Sequence, residues 1–135
     1  MKVCVIGSGG REHALAHTLS THAEVVVTPG SPGIEGSTGA AATEVEADLY
    51  IIGPEVPLVE GLADELRSKG CLVFGPGSDG ALLEGSKIWM KELVDAAGVP
   101  TARYASFDAN EADAAATFLS TLTPPYVVKT DGLAA

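Results

Sequence analysis

Short apolar runs alternate with segments whose apolar positions recur at helical spacing. Val3–Ile6 is a β-branched run that stops at Gly7. From Arg11 to Ser20, Ala14, Leu15 and Leu19 share one face, which predicts a helix. Glu24–Thr28 carries three consecutive valines and reads as a second strand; Leu49–Ile52 and Leu72–Phe74 read as a third and a fourth. Between the last two, Leu58, Leu62 and Leu66 predict one amphipathic helix closed by Gly70. Runs apolar on both faces fit strands covered on both sides, as in parallel sheets. The alternation of strand and helix predicts an α/β, parallel doubly wound domain with helices on both faces.

A second pattern begins near Gly75. Ser86–Ala97 reads as a helix with Trp89, Leu93 and Ala96 on one face, ended by Gly98 and Pro100. Thr101–Phe107 reads as a connecting or edge strand. Asn110 is placed to cap a helix running through Leu122. Tyr126–Lys129 reads as a last strand that enters the turn Thr130-Asp131-Gly132. Only a few residues follow it, which predicts a longer parent protein. The stretch Pro29–Asp48 holds five glycines or prolines in its first eight residues and offers no clear helix or strand. It reads as a functional loop or a shortened crossover.

Charge narrows the function. Eight Lys and Arg against 18 Asp and Glu give a net charge of −10. That balance argues against a general nucleic-acid binder and against a polybasic membrane-surface protein. No apolar run approaches the roughly 20 residues that span a bilayer. Cys4 and Cys71 lie in or beside apolar runs without a CxxC, which fits buried thiols in a reducing cytoplasm. His13, His17 and His22 share no partner pattern with them, and no metal site is expected.

Four places carry chemistry. Gly7-Ser8-Gly9-Gly10-Arg11-Glu12 follows a strand and opens a helix, a geometry that presents backbone N–H groups and the positive helix end to an anion. The dinucleotide fingerprint G-x-G-x-x-G matches at Gly7 and Gly9, fails at Glu12, and lacks its acid after the second strand. A tight turn without ligand is the alternative. Arg11 tips that balance: it is the only Lys or Arg between Lys2 and Arg67, and it opposes the dipole of its own helix. Glu55, in Gly53-Pro54-Glu55, sits at the carboxyl end of the sheet, where it serves either a ribose hydroxyl or amine, or the following helix dipole. Lys87 lies in the first turn after Ser86, either aimed at an anion or solvated, and Lys91 reads as solvated. Lys129 ends the last strand, where a lysine aims at a phosphate or guards a sheet edge.

Together these residues resemble the amino-terminal part of the phosphoribosylamine–glycine ligase (glycinamide ribonucleotide synthetase) family, within the ATP-grasp superfamily. The resemblance rests on VIGSGGREHAL at Val5–Leu15, PGSPG at Pro29–Gly33, IGPEVPLVEG at Ile52–Gly61 and FGP at Phe74–Pro76. LEGSKIWMKELV at Leu83–Val94, AGVPTA at Ala97–Ala102 and VVKTDGLAA at Val127–Ala135 complete it. It implies ATP-dependent joining of glycine to 5-phosphoribosylamine in purine biosynthesis, through an acyl phosphate, in the cytoplasm. It further implies a Rossmann-like, pre-ATP-grasp substrate-binding domain over residues 1–100 and a linker with the truncated start of an ATP-grasp domain over 101–135. By match, Gly9, Gly10 and Arg11 hold the sugar phosphate, Glu55 lies near the ribose, and Lys87 and Lys129 face ATP phosphates.

ATP and Mg2+ are the implied cofactors of the complete enzyme, and its remainder the implied partner, with neither nucleic acid nor membrane. The chain covers about the first third of the family. Its glycine-lysine-glycine phosphate loop and magnesium carboxylates fall outside that third, so no catalytic or metal residue is expected here and the fragment alone is expected to be inactive. The family also has a further strand and helix between PGSPG and GPE, for which Gly36–Asp48 is too short. Two other classes compete: an NAD(P)-binding Rossmann oxidoreductase domain, and a non-catalytic binding module.

Overall fold

A computed structural model of the chain describes residues 1–133. The chain divides into two compact units, Met1–Gly85 and a second from Ser86 onward. The sequence reading places the change of domain at residue 100; the units divide ahead of the Ser86 helix.

The first unit is a four-stranded, all-parallel sheet of order β2-β1-β3-β4. Strand β1 is Lys2–Gly7, β2 is Glu24–Pro29, β3 is Leu49–Ile52 and β4 is Val73–Phe74. Alternation along β1 sends neighbouring side chains to two separate cores. Val3 and Val5 pack with Val27, Ile34 and Ala16 of helix α1, Gly10–Leu19. Cys4 and Ile6 pack on the other face with Tyr50, Ile52, Leu58, Ala63 and Leu66. Helices therefore cover both faces, as the apolar runs predict. Fully burying a Val or Leu contributes roughly 1.5–3 kcal/mol, so these residues dominate the unit's stability.

The single helix expected around Leu58, Leu62 and Leu66 is two helices, α2 at Glu55–Val59 and α3 at Leu62–Ser68. Gly61 stands between them at φ +89°, a left-handed conformation that breaks helical propagation while both leucine faces still reach the core. Helix α3 ends as expected beside Gly70, where the Cys71 N–H donates to the Leu66 carbonyl at 3.1 Å. Helix α4, Ser78–Gly85, was not foreseen, since its sequence SDGALLEG shows little periodicity. Its first N–H, on Ser78, donates at 2.8 Å to the Asp64 carboxylate, a cap 14 residues away in sequence. The β2-to-β3 crossover contains no α-helix. It is irregular chain with one 3-10 turn at Ala42–Glu44, and Ala40, Ala42, Val45 and Ala47 pack on the sheet in place of a helix face.

The second unit holds α5, Lys87–Ala96, and α6, Ala112–Ser120. Ser86 caps α5 as expected, its hydroxyl accepting the Trp89 N–H at 3.1 Å. The cap of α6 is Glu111 rather than Asn110. Neither Thr101–Phe107 nor Tyr126–Lys129 forms a strand. A strand exists only through its ladder. Val127 and Val128, 78% and 84% exposed, meet no partner among the described residues. No described residue of this unit is fully buried.

Candidate substrate site at the strand switch point

In an open parallel sheet, ligands bind outside the carboxyl ends of the strands where the order reverses. Here that point lies between β1 and β3, because β2 adds on one side of β1 and β3 on the other. Two loops leave it: Gly7–Gly9 into α1, and Gly53-Pro54 into α2. The Gly53 N–H donates to the Ile6 carbonyl at 3.0 Å and ties them together.

Arg11 and Glu55 meet across this point. Arg11 Nη1 donates to Glu55 Oε1 at 3.0 Å. Arg11 Nε donates to Glu12 Oε1 at 3.1 Å. The guanidinium thus lies between two carboxylates and is still half-exposed. The Glu55 bond above all, and then the Glu12 bond, raises the already high pKa of Arg11. The same bond to Arg11 lowers the Glu55 carboxyl below its usual range, so Glu55 is ionised at neutral pH. An apolar cleft of about 430 Å³ opens beside the guanidinium, with Leu15, Ile51 and Phe74 in its walls.

Gly9 is the N-cap of α1 and Gly10 its first residue. The Gly9 N–H is not free for a ligand: it donates to Glu12 Oε2 at 2.8 Å. Gly10 and Arg11 occupy the first two helical positions, whose N–H groups have no intrahelical acceptor. The glycines of the turn also have a different reason from ligand approach. Glu12 is 4% exposed, and its side chain fills the space above Gly7 and Gly53. That carboxylate stands where the third glycine of the dinucleotide fingerprint would leave room, which disfavours a bound pyrophosphate. Sequence reasoning treated Glu12 only as a mismatch. The available signal was a Glu three residues after the N-cap Gly9, which supplies one half of a capping box, the bond from the Gly9 N–H to the Glu12 carboxylate; glycine has no side chain for the other half.

Lys87 and Lys129 both belong to the second unit. The Lys87 ammonium donates to the Gly132 carbonyl, and its backbone N–H donates to Asp131 Oδ1 at 2.6 Å. Asp131 also accepts from the Ile88 N–H at 3.1 Å and the Ser86 hydroxyl at 3.0 Å. These bonds, the Ile88 one foremost, hold the Asp131 carboxyl below its ordinary range. The start of α5 is thus occupied by a carboxylate from 43 to 45 residues away, which no local signal announces. Lys129 is exposed and makes no hydrogen bond or ion pair among the described residues. Lys91, expected to be solvated, instead donates to Thr101 and Ala102 and lies 5.4 Å from the Tyr104 ring centroid.

His13, His17 and His22 are exposed. Cys4 is buried and Cys71 half-buried, both as free thiols. No group of three or more His, Cys, Asp or Glu among the described residues is arranged to hold a metal ion. No helix among them is long and apolar enough to cross a membrane.

Residues 1–84 match the family of the phosphoribosylglycinamide synthetase N domain, and residues 85–135 match its ATP-grasp (A) domain. The phosphoribosylamine–glycine ligase of Streptomyces coelicolor is 46% identical over 152 aligned positions, covering all of this chain and 36% of that protein. That of Nostoc is 41% identical over 153 positions, with the same coverage. Since the chain has 135 residues, an alignment of 152 positions leaves at least 17 positions of the Streptomyces protein without a counterpart. The crystal structure of phosphoribosylamine–glycine ligase from Thermotoga maritima superposes with a TM-score of 0.73 at 28% identity, over 98% of this chain and 34% of that one. The chain spans about a third of the length of these relatives.

Proposed function

The chain belongs to the phosphoribosylglycinamide synthetase family, and on that premise we propose that it is the amino-terminal part of an ATP-dependent ligase. The ligase joins glycine to 5-phosphoribosylamine in purine biosynthesis, in the cytoplasm, and this part contributes the sugar-phosphate site. One observation supports that site most: Arg11 and Glu55, from different loops, are joined at the switch point of the sheet.

The chemistry has two balanced steps. A glycine carboxylate oxygen attacks the γ-phosphorus of ATP, giving an acyl phosphate and ADP. The sugar amine then attacks the acyl carbon; the C–O bond to phosphate breaks, phosphate leaves, and the amine loses a proton. Positioning dominates catalysis of this kind. The N–H groups of Gly10 and Arg11, with the outward edge of the Arg11 guanidinium, hold the 5-phosphate; Gly9 shapes the turn that presents them. Glu55 accepts a hydrogen bond from a ribose hydroxyl or from the amine. Lys87 and Lys129 face ATP phosphates, which requires the Lys87 ammonium to exchange its bond to the Gly132 carbonyl for a phosphate oxygen.

A magnesium ion would supply charge neutralisation at the ATP phosphates, but the described residues form no cluster that fits the ion. The test is a chimera in which this chain replaces the matching amino-terminal third of the Streptomyces coelicolor relative. It should sustain multiple-turnover ADP release only when glycine and phosphoribosylamine are both present, and Arg11→Ala should raise KM for phosphoribosylamine. ADP release indifferent to phosphoribosylamine would contradict the reading.

A further inference from the structure

A carboxylate is almost never fully buried unless paired, and Glu12 is 4% exposed at the end of a sheet. Its two oxygens have separate tasks. Oε2 accepts the Gly9 N–H at 2.8 Å, and Oε1 accepts Arg11 Nε at 3.1 Å. The backbone around it is cut to its shape. A Cβ on Gly7 would lie 2.6 Å from Glu12 Cδ, and one on Gly53 would lie 2.7 Å from the same atom. Both distances are far inside van der Waals contact. Gly7 ends β1 and Gly53 follows β3, so the carboxylate is wedged between the ends of two neighbouring strands. A helix cap alone would need neither the second strand's glycine nor the bond to Arg11.

We propose that Glu12 is a positioning residue of the sugar-phosphate site. Its buried carboxylate fixes the Arg11 guanidinium from the Nε side, which leaves the Nη edge for Glu55 and the ligand. Gly53 lacks a side chain in order to seat it, and Gly7 both leaves it room and adopts a φ of +135° that favours glycine. The identity of the ligand rests on the function proposed above; the seating of Arg11 does not.

Glu12→Gln keeps the volume and an acceptor for Gly9 but removes the charge that holds Arg11. In the 15N-labelled chain, the Arg11 Nε–H resonance should move to the position of exposed arginines, with its hydrogen exchange about fivefold faster or more. Ribose 5-phosphate affinity should fall about threefold to tenfold, the loss of one charge-assisted contact's ordering effect. A moved resonance with ribose 5-phosphate affinity unchanged overturns the positioning role, since the seating of Arg11 would then do nothing for the ligand; ribose 5-phosphate binding absent in the wild type upholds the seating of Arg11 and removes the sugar-phosphate reading. An unmoved resonance overturns the proposal.

Gly53→Ala gives an independent test if Glu12→Gln does not fold. The added Cβ should displace the carboxylate and strip the Gly9 amide of its exchange protection. A Gly9 amide that keeps its protection would also overturn the proposal.

Discussion

Arg11 Nη1 lies 3.0 Å from Glu55 Oε1, although 44 residues separate them. The parallel pairing of β1 with β3 brings their loops together. The pair has two opposite effects on a phosphate. Arg11 attracts it, and Glu55 both repels it and competes for the guanidinium. Glu55→Gln should therefore bind inorganic phosphate about threefold to tenfold more tightly, as expected for removing one like charge a few ångströms away. Ribose 5-phosphate should gain less if, as proposed, Glu55 also accepts a ribose hydroxyl. Calorimetric titration of both ligands checks this. Equal gains for the two would remove Glu55 from the ribose.

Leu66 is 1% exposed and packs against Cys4, Tyr50 and Ile52 in the core beneath α3. Leu66→Ala should destabilise the chain by about 2–5 kcal/mol. Leu72, 70% exposed, should tolerate Ser within about 0.5 kcal/mol. Urea unfolding of the two variants tests which leucine carries the core.

Burial pushes the Cys4 thiol from 9.0 to about 11, with Lys2 opposing part of the shift. Since the folded pKa lies above the unfolded one, this contribution is complete below pH 9 and is lost as pH rises through 11. Two units correspond to about 2–3 kcal/mol at most. Stability of the wild type should fall between pH 8 and pH 11 by more than that of Cys4→Ala, since only the wild type loses this contribution. At pH 8, iodoacetamide should label Cys71 and spare Cys4 in the native chain, because only Cys71 is partly accessible.

Asp131 supplies acceptors to the N–H groups of Lys87 and Ile88. Asp131→Ala should speed hydrogen exchange at those two amides while Ser86 still protects Trp89. The Asp131 carboxyl is held below its ordinary 3.8, so its contribution is present above that pH and lost as pH falls through the lowered value. Protection of Lys87 and Ile88 should persist at pH 4 and vanish with further acidification. Unchanged exchange in Asp131→Ala would show that the carboxylate does not cap α5 in solution.

What the sequence displayed was what local physics decides. The runs Val3–Ile6, Glu24–Thr28 and Leu49–Ile52 are strands because β-branched residues fill both faces of a covered sheet. Ser86 is a cap because its hydroxyl reaches an amide three residues on. The features that escaped depend on residues far away in the chain. Asp64 caps α4 and Asp131 caps α5 across 14 and 43 to 45 positions. The stretches Thr101–Phe107 and Tyr126–Lys129 have strand-like residues, but no partner among the described residues offers them a ladder. At the candidate site, Arg11 and Glu55 were both legible as residues at strand ends. Their contact was not, because it required knowing that β1 and β3 are neighbours. Glu12 was hidden because its carboxylate is held by the Gly9 N–H and by Arg11 in a space left by Gly7 and Gly53, and Gly53 lies 41 positions away in the chain.

The βα turn carrying Arg11 is proposed to bind a sugar phosphate. Titration of the 15N-labelled chain with ribose 5-phosphate reads it most directly, through the amide shifts. Saturable shifts are expected at Gly10, Arg11 and Glu12, with smaller ones at Gly53 and Glu55, and a weakened response in Arg11→Ala. Saturable shifts confined to the unit from Ser86 onward, with residues 7–12 and 53–55 silent, would contradict it.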